Sequence, residues 1–376
     1  MADTAILAKG TKLAKSVTSP KKFIVGKGIL ANISSYISGF GDNAYFICDE
    51  FIVDRAGRVG GASFNASGKT ATFEKFNYEC SQTEIDRNRK LAQAAGAQVI
   101  VGIGGGKTLD TAKAVAYYEK LPVVIYPTIA STDAPCTSIA VVYTDEGQFD
   151  HYLYLPSNPD MVIADTDILA AAPKRFFAAG IGDGLTTYFE ARSCYRANGI
   201  NLANLRPSLI GVGLAKQCYD TIRRNAVPAI HAVEKKLSTT AVEATIEATI
   251  YLSGVGAESG GLAAAHAIHN GMTAVPALHR VQHGEKVTFG LLAHLVLENA
   301  PQEELEEVIH IIKAVGLPLT LADLGVNEFV DEEWRKVAEL ACAANDTMSN
   351  MPFEVTPDDV FNAIVTADAI AQTYHD

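Results

Sequence analysis

From residue 20 to 172 the chain alternates short apolar runs with segments of helical period. The runs at 44–49 (Ala-Tyr-Phe-Ile-Cys-Asp), 98–103 (Gln-Val-Ile-Val-Gly-Ile), 122–127 (Pro-Val-Val-Ile-Tyr-Pro) and 161–165 (Met-Val-Ile-Ala-Asp) read as buried strands. Amphipathic stretches such as 84–95 and 108–118 fall between them. Short continuous apolar runs separated by helices predict a mostly parallel sheet covered on both faces. Residues 139–144 and 151–155 flank Asp145-Glu146-Gly147-Gln148 and predict a hairpin on that sheet. After Pro173 the period changes to Ala-, Glu- and Leu-rich helical segments, near 184–197, 208–225, 239–253, 260–270, 285–299, 302–315, 332–346 and 357–372. Thr356-Pro357-Asp358-Asp359 supplies an N-cap, a proline at the first helical position and early acids. Gly316 stands where a helix ending near residue 315 needs a C-terminal glycine. The fold class expected is an α/β N-terminal domain over 19–172 and an all-α C-terminal domain over 173–376. Residues 1–18, with Lys9, Lys12 and Lys15 against a single acid, Asp3, are expected to be an extension.

At 376 residues the chain exceeds one comfortable core, which agrees with two domains. A net charge of −12 argues against nucleic acid and anionic membranes as partners. No apolar run is long enough to span a bilayer. The six cysteines form no C-x-x-C pair, so a reduced, cytoplasmic protein without a structural zinc cluster is expected.

Residues 102–113 (Gly-Ile-Gly-Gly-Gly-Lys-Thr-Leu-Asp-Thr-Ala-Lys) leave a strand and open a helix. Glycines there let backbone N–H groups close on a phosphate at the positive end of the helix dipole. The triplet Gly106-Lys107-Thr108 is not a P-loop, because Val101 occupies the position of that motif's first glycine. It is not the usual dinucleotide fingerprint either, since Lys107 replaces the third glycine. Asp49, at a strand end, suits ribose hydroxyls and would repel a 2′-phosphate, favouring NAD over NADP; a turn aspartate is the alternative. Residues 128–137 follow the next strand with small hydroxyl side chains and Asp133, which suits a polyol or cofactor contact or a capped turn.

In residues 260–271 (Gly-Gly-Leu-Ala-Ala-Ala-His-Ala-Ile-His-Asn-Gly), His266 and His269 share one helical face among small residues. His283 follows in His283-Gly284-Glu285-Lys286, and Asp183 lies in Gly180-Ile181-Gly182-Asp183-Gly184 at an expected helix start. One aspartate and two or three histidines are a plausible set for a catalytic divalent metal; packed or surface histidines are the alternative.

Taken together, the stretches at 102–113, 127–136, 179–183, 259–266 and 283–287 resemble the iron-containing (group III) alcohol dehydrogenase superfamily, specifically its zinc-using, glycerol-oxidising branch. The similarity runs from about Ser19 to the C-terminus. It implies a dehydroquinate synthase-like fold. It also implies NAD-dependent oxidation of glycerol to dihydroxyacetone, with another vicinal diol such as propane-1,2-diol or a glycerol phosphate as alternative substrates. The metal ligands would be Asp183, His266 and His283, holding Zn2+ rather than Fe2+. Cofactor contacts would fall on Asp49, on Gly104, Gly105, Gly106, Lys107, Thr108, Leu109 and Asp110, on Thr128, Ile129, Ala130 and Ser131, and on Thr137, Ile139 and Tyr143. Asp133 would contact the substrate. His269 would relay protons or orient a ligand. A homo-oligomer, commonly an octamer, is implied. Iron-binding relatives carry a further ligand histidine four residues after the aspartate; here that residue is Thr187.

Overall fold

The computed structural model describes residues 14–374. The expected extension over 1–18 therefore lies mostly outside the described residues. Within 14–18, Lys15–Ser16 pairs in parallel with Arg206–Pro207.

The apolar runs form a six-stranded, all-parallel sheet. Its spatial order is Phe23–Gly26, Met161–Asp165, Val123–Pro127, Val99–Gly104, Asn43–Cys48 and Thr70–Lys75. The four inner runs bury every residue or all but one, as expected of strands covered on both faces. The two edge strands, Phe23–Gly26 and Thr70–Lys75, are half-exposed; the first is only four residues long and the second mixes polar with apolar positions, which hides them in the sequence. Ile33, Phe46, Val101, Tyr126 and Ile163 belong to the core on this sheet.

The hairpin forms, as Ile139–Tyr143 and Phe149–Tyr154, but not on that sheet. It is a separate two-stranded sheet. Lys113 anchors it: its buried ammonium donates to the Ile139 carbonyl at 2.9 Å and the Ala134 carbonyl at 2.7 Å. A charged side chain from the glycine-loop helix thus ties down the base of the hairpin, and a single bridge between Tyr143 and Ser81 adds to it.

From Lys174 on, the described residues are mostly helical. The long helices are Lys174–Arg196, Leu209–Glu234, Ala264–Met272, His283–Leu297, Gln302–Val315, Asp331–Ala341 and Pro357–Gln372. By compactness the chain groups differently from a cut at residue 172. One unit holds Ser19–Ile181 with Thr221–Gly254, and the other holds Gly182–Asp220 with Val255 onward.

Asp183 does not sit at a helix start. It lies in the interior of Lys174–Arg196. Glycines at 180, 182 and 184 argue for a break, yet packing overrides them. A Cβ on Gly180 would stand 2.0 Å from the Ala130 carbonyl oxygen, and one on Gly182 would stand 2.0 Å from Thr288 Oγ1. These glycines are needed for close approach, and their propensity cost of about 1 kcal/mol each is outweighed. Among the described residues no helix is long and apolar enough to cross a membrane.

Candidate functional site

The glycine loop leaves the central strand Val99–Gly104 and opens the helix Gly106–Glu119. Asp49 holds its shape. The carboxylate accepts from the Gly105 N–H at 2.7 Å and from the Thr108 hydroxyl. A Cβ on Gly104 would be 2.5 Å from Asp49 Oδ2, so only glycine fits beneath the aspartate. Burial raises the Asp49 pKa, and the bonds from Thr108 and Gly105 oppose it. Asp49, Gly105, Gly106, Lys107 and Thr108 line a cavity of about 410 Å³ with Phe51, Phe76 and Tyr78. The exposed rings of Phe51 and Tyr78 beside an exposed helix N-terminus suit a flat base and a phosphate.

The other expected cofactor residues divide. Thr128 lies against the loop, its N–H donating to the Gly104 carbonyl at 3.0 Å. Its buried hydroxyl has no partner among the described residues. Lys107 stands over the Tyr143 ring at 4.8 Å and pairs with Glu79 at 2.7 Å. Leu109 and Asp110 are buried in the helix rather than in the cavity wall. Asp110 accepts from the Val141 N–H at 3.0 Å and pairs with Lys113 at 3.2 Å, so it braces the hairpin. Ile129 and Ser131 are half-buried and Ala130 is buried. Thr137 bonds back to the Ala134 carbonyl at 3.0 Å, and Ile139 begins the hairpin. Asp133 makes no capping bond with its side chain; it accepts from the Ser253 hydroxyl at 2.9 Å.

In the helical unit three of the expected residues converge. Asp183 Oδ1 lies 3.3 Å from His283 Nε2 and 3.7 Å from His266 Nε2. One donor atom from each of the three lies within 4.8 Å of the others. Asp183 is fully buried, and both histidines are partly exposed. Small residues make this possible: a Cβ on Gly290 would stand 2.4 Å from the Ala265 carbonyl oxygen, so Ala264–Met272 and His283–Leu297 pack backbone to backbone. His283 is the first residue of its helix, whose start is fixed by a capping box between Gln282 and Glu285.

His269 is buried and belongs to this cluster through His283 rather than through Asp183. Its Nε2 is 3.1 Å from His283 Nδ1, and its Nδ1 is 3.1 Å from Asn270 Oδ1. Burial, then the neighbouring charges at His283, Lys286 and His266, push its pKa well below 6.5.

Sequence reasoning missed Glu190 and Asp346. Glu190 Oε2 is 2.5 Å from His266 Nδ1. Asp346 accepts from Asn270 Nδ2 at 3.0 Å. Glu190 follows Asp183 by two helical turns on the same face, a spacing that could have flagged it. Asp346, from a distant part of the sequence, left no signal.

One unit carries a nucleotide-type glycine loop and the other a carboxylate–histidine cluster that could hold a metal ion, and each feature suits an oxidoreductase. Residues 20–166 match the family of iron-containing alcohol dehydrogenases. The glycerol dehydrogenase of Escherichia coli O6:H1 is 49% identical over 358 residues, covering 95% of this chain and 98% of that protein. That of Pseudomonas putida is 48% identical over 360 residues, covering 96% and 99%. The crystal structure of glycerol dehydrogenase from Schizosaccharomyces pombe matches with a TM-score of 0.90 at 36% identity, covering 96% of this chain and 93% of that one. The chain belongs to the iron-containing alcohol dehydrogenase family, on its glycerol dehydrogenase branch, as the sequence motifs implied.

Proposed function

We infer that this chain catalyses the reversible oxidation of glycerol to dihydroxyacetone, with NAD+ becoming NADH and a proton released. The observation that carries the reading is the convergence of Asp183, His266 and His283 in a chain 48 and 49% identical to glycerol dehydrogenases.

The residues fit a catalytic divalent ion. One carboxylate and two imidazoles leave a coordination position open for substrate. Asp183, His266 and His283 are assigned as its ligands. Zn2+ is favoured over Fe2+, because Thr187 contributes no third imidazole. When bound, the ion would acidify a glycerol hydroxyl, and NAD would take up hydride. The chain's own part is positioning. Asp49 clamps the loop from Gly104 to Thr108 so that the helix N-terminus faces phosphate. The unpaired Thr128 hydroxyl supports a cofactor contact beside it. Asp49 and the adjacent Glu50 place two carboxylates at the cavity wall, which supports NAD over NADP. Asp133, held by Ser253, is assigned to the polyol. Both ring nitrogens of His269 are engaged, which supports ligand orientation over proton relay. Six cysteines with no disulfide among the described residues support a cytoplasmic protein, and a homo-oligomer follows from the family resemblance.

The test is NADH production by the purified protein with glycerol, before chelation, after it, and after Zn2+ or Fe2+ is restored. Glycerol 1-phosphate and propane-1,2-diol run alongside. Activity lost on chelation and returned best by zinc is expected. Glycerol oxidation indifferent to thorough chelation overturns the metal assignment, and turnover of the phosphate ester alone overturns the substrate.

A further inference from the structure

We propose that Glu190 is a positioning residue that fixes the tautomer of His266 and so makes its Nε2 available to a divalent ion. The inference rests on the metal reading above and adds the group that prepares one ligand before any ion arrives.

Glu190 is fully buried and uses both carboxylate oxygens on the same target. Oε1 accepts from the backbone N–H groups of Ala263 and His266, each at 2.9 Å. Oε2 faces His266 Nδ1 at 2.5 Å. Ala263 stands at the N-cap of Ala264–Met272 and has no side chain able to cap it. A carboxylate from the Asp183 helix therefore satisfies the orphan donors. An ionised carboxylate only accepts, so the proton on His266 must sit on Nδ1. The Nε2 lone pair then faces Asp183 Oδ1 and His283. A helix cap alone would need only Oε1. The second oxygen, aimed at the ring, adds a carboxylate–histidine pair of the kind that raises ligand basicity.

Glu190→Gln separates the two roles. The amide oxygen can keep both backbone bonds, and the NH2 group then faces Nδ1 and donates to it. That moves the imidazole proton to Nε2 and blocks the ligand. The opposite amide orientation would set NH2 against two backbone N–H groups, losing two bonds to keep one. The experiment is Zn2+ affinity by competition with a chromophoric chelator, with thermal unfolding of the metal-free proteins beside it. E190Q should fold with a Tm near wild type and bind zinc about 10- to 100-fold more weakly. Zinc affinity within twofold of wild type overturns the proposal. If E190Q does not fold, Glu190→Asp serves against Glu190→Ala. The aspartate keeps an acceptor-only group and should retain more zinc affinity, and equal affinity overturns the proposal. A wild-type chain that holds no zinc overturns the metal reading as well, so the two failures are distinguishable.

Discussion

His283 Nδ1 lies 3.1 Å from His269 Nε2, so the second histidine of the 260–271 stretch reaches the Asp183 cluster only through another ring. His269 Nδ1 continues to Asn270, and Asn270 to Asp346. With His269 neutral, Nδ1–H donates to Asn270 Oδ1, Nε2 accepts from His283 Nδ1–H, and the lone pair of His283 Nε2 is left on the Asp183 side of the ring. One arrangement of protons satisfies every partner in the chain.

His269→Ala removes the acceptor behind His283. Zinc affinity should fall by about 10- to 100-fold, while the pH profile of the zinc-saturated enzyme keeps its shape. Chelator competition and kcat/KM against pH check this together. Unchanged affinity with a displaced pH profile would instead assign His269 to proton transfer.

Asp49 does two jobs at the glycine loop, shaping it and presenting charge at the cavity wall. Asp49→Ala loses the bonds from Gly105 and Thr108 and should raise the KM for NAD by an order of magnitude, about 10-fold, with a smaller change in kcat. Asp49→Asn keeps an acceptor and removes the charge, so discrimination against NADP should narrow. Initial rates with both cofactors measure each effect.

Gly182→Ala sets two magnitudes against each other. Helix propensity alone favours alanine by about 1 kcal/mol. The added Cβ would meet Thr288 Oγ1 at 2.0 Å and the Gly284 carbonyl at 2.9 Å. Overpacking of this kind costs about 1–3 kcal/mol. The backbone contact should win, giving a lower Tm and weaker zinc binding because Asp183 and His283 flank the clash. A higher Tm would mean that the Asp183 helix can shift to accommodate the methyl group.

Glu298 sets part of the acid limit. Burial alone would raise its pKa, but His294, Ser193 and Arg192 outweigh burial and depress it from the ordinary 4.5 to about 2. A depressed carboxylate contributes stability that is fully present above 4.5 and is lost as pH falls toward 2. Glu298→Gln should lower stability at pH 7 and flatten the loss between pH 4.5 and 2. Urea unfolding across that range tests it; a slope equal to wild type would show that the network carries no such coupling.

The sequence by itself determined the parallel sheet, the run of later helices and the three residues, Asp183, His266 and His283, that the fold brings together. Buried strands such as Val99–Gly104 must be continuously apolar, and Asp183, His266 and His283 stand in short motifs whose chemistry is local. It was misleading where long-range contacts overrule local preference. Glycines around Asp183 signalled a break, but they are spaces for Ala130, Thr288 and Gly284 inside one unbroken helix. The hairpin signal was right in pairing and wrong in attachment, since the hairpin forms its own two-stranded sheet and Lys113 ties it to the glycine-loop helix. Only the tertiary structure decided which partners hold the histidines. Glu190 and Asp346 reach His266 and Asn270 from 76 residues away in opposite directions, and no local pattern encodes a hydrogen bond made across that distance. Such contacts depend on which helix faces meet, and packing alone settles that.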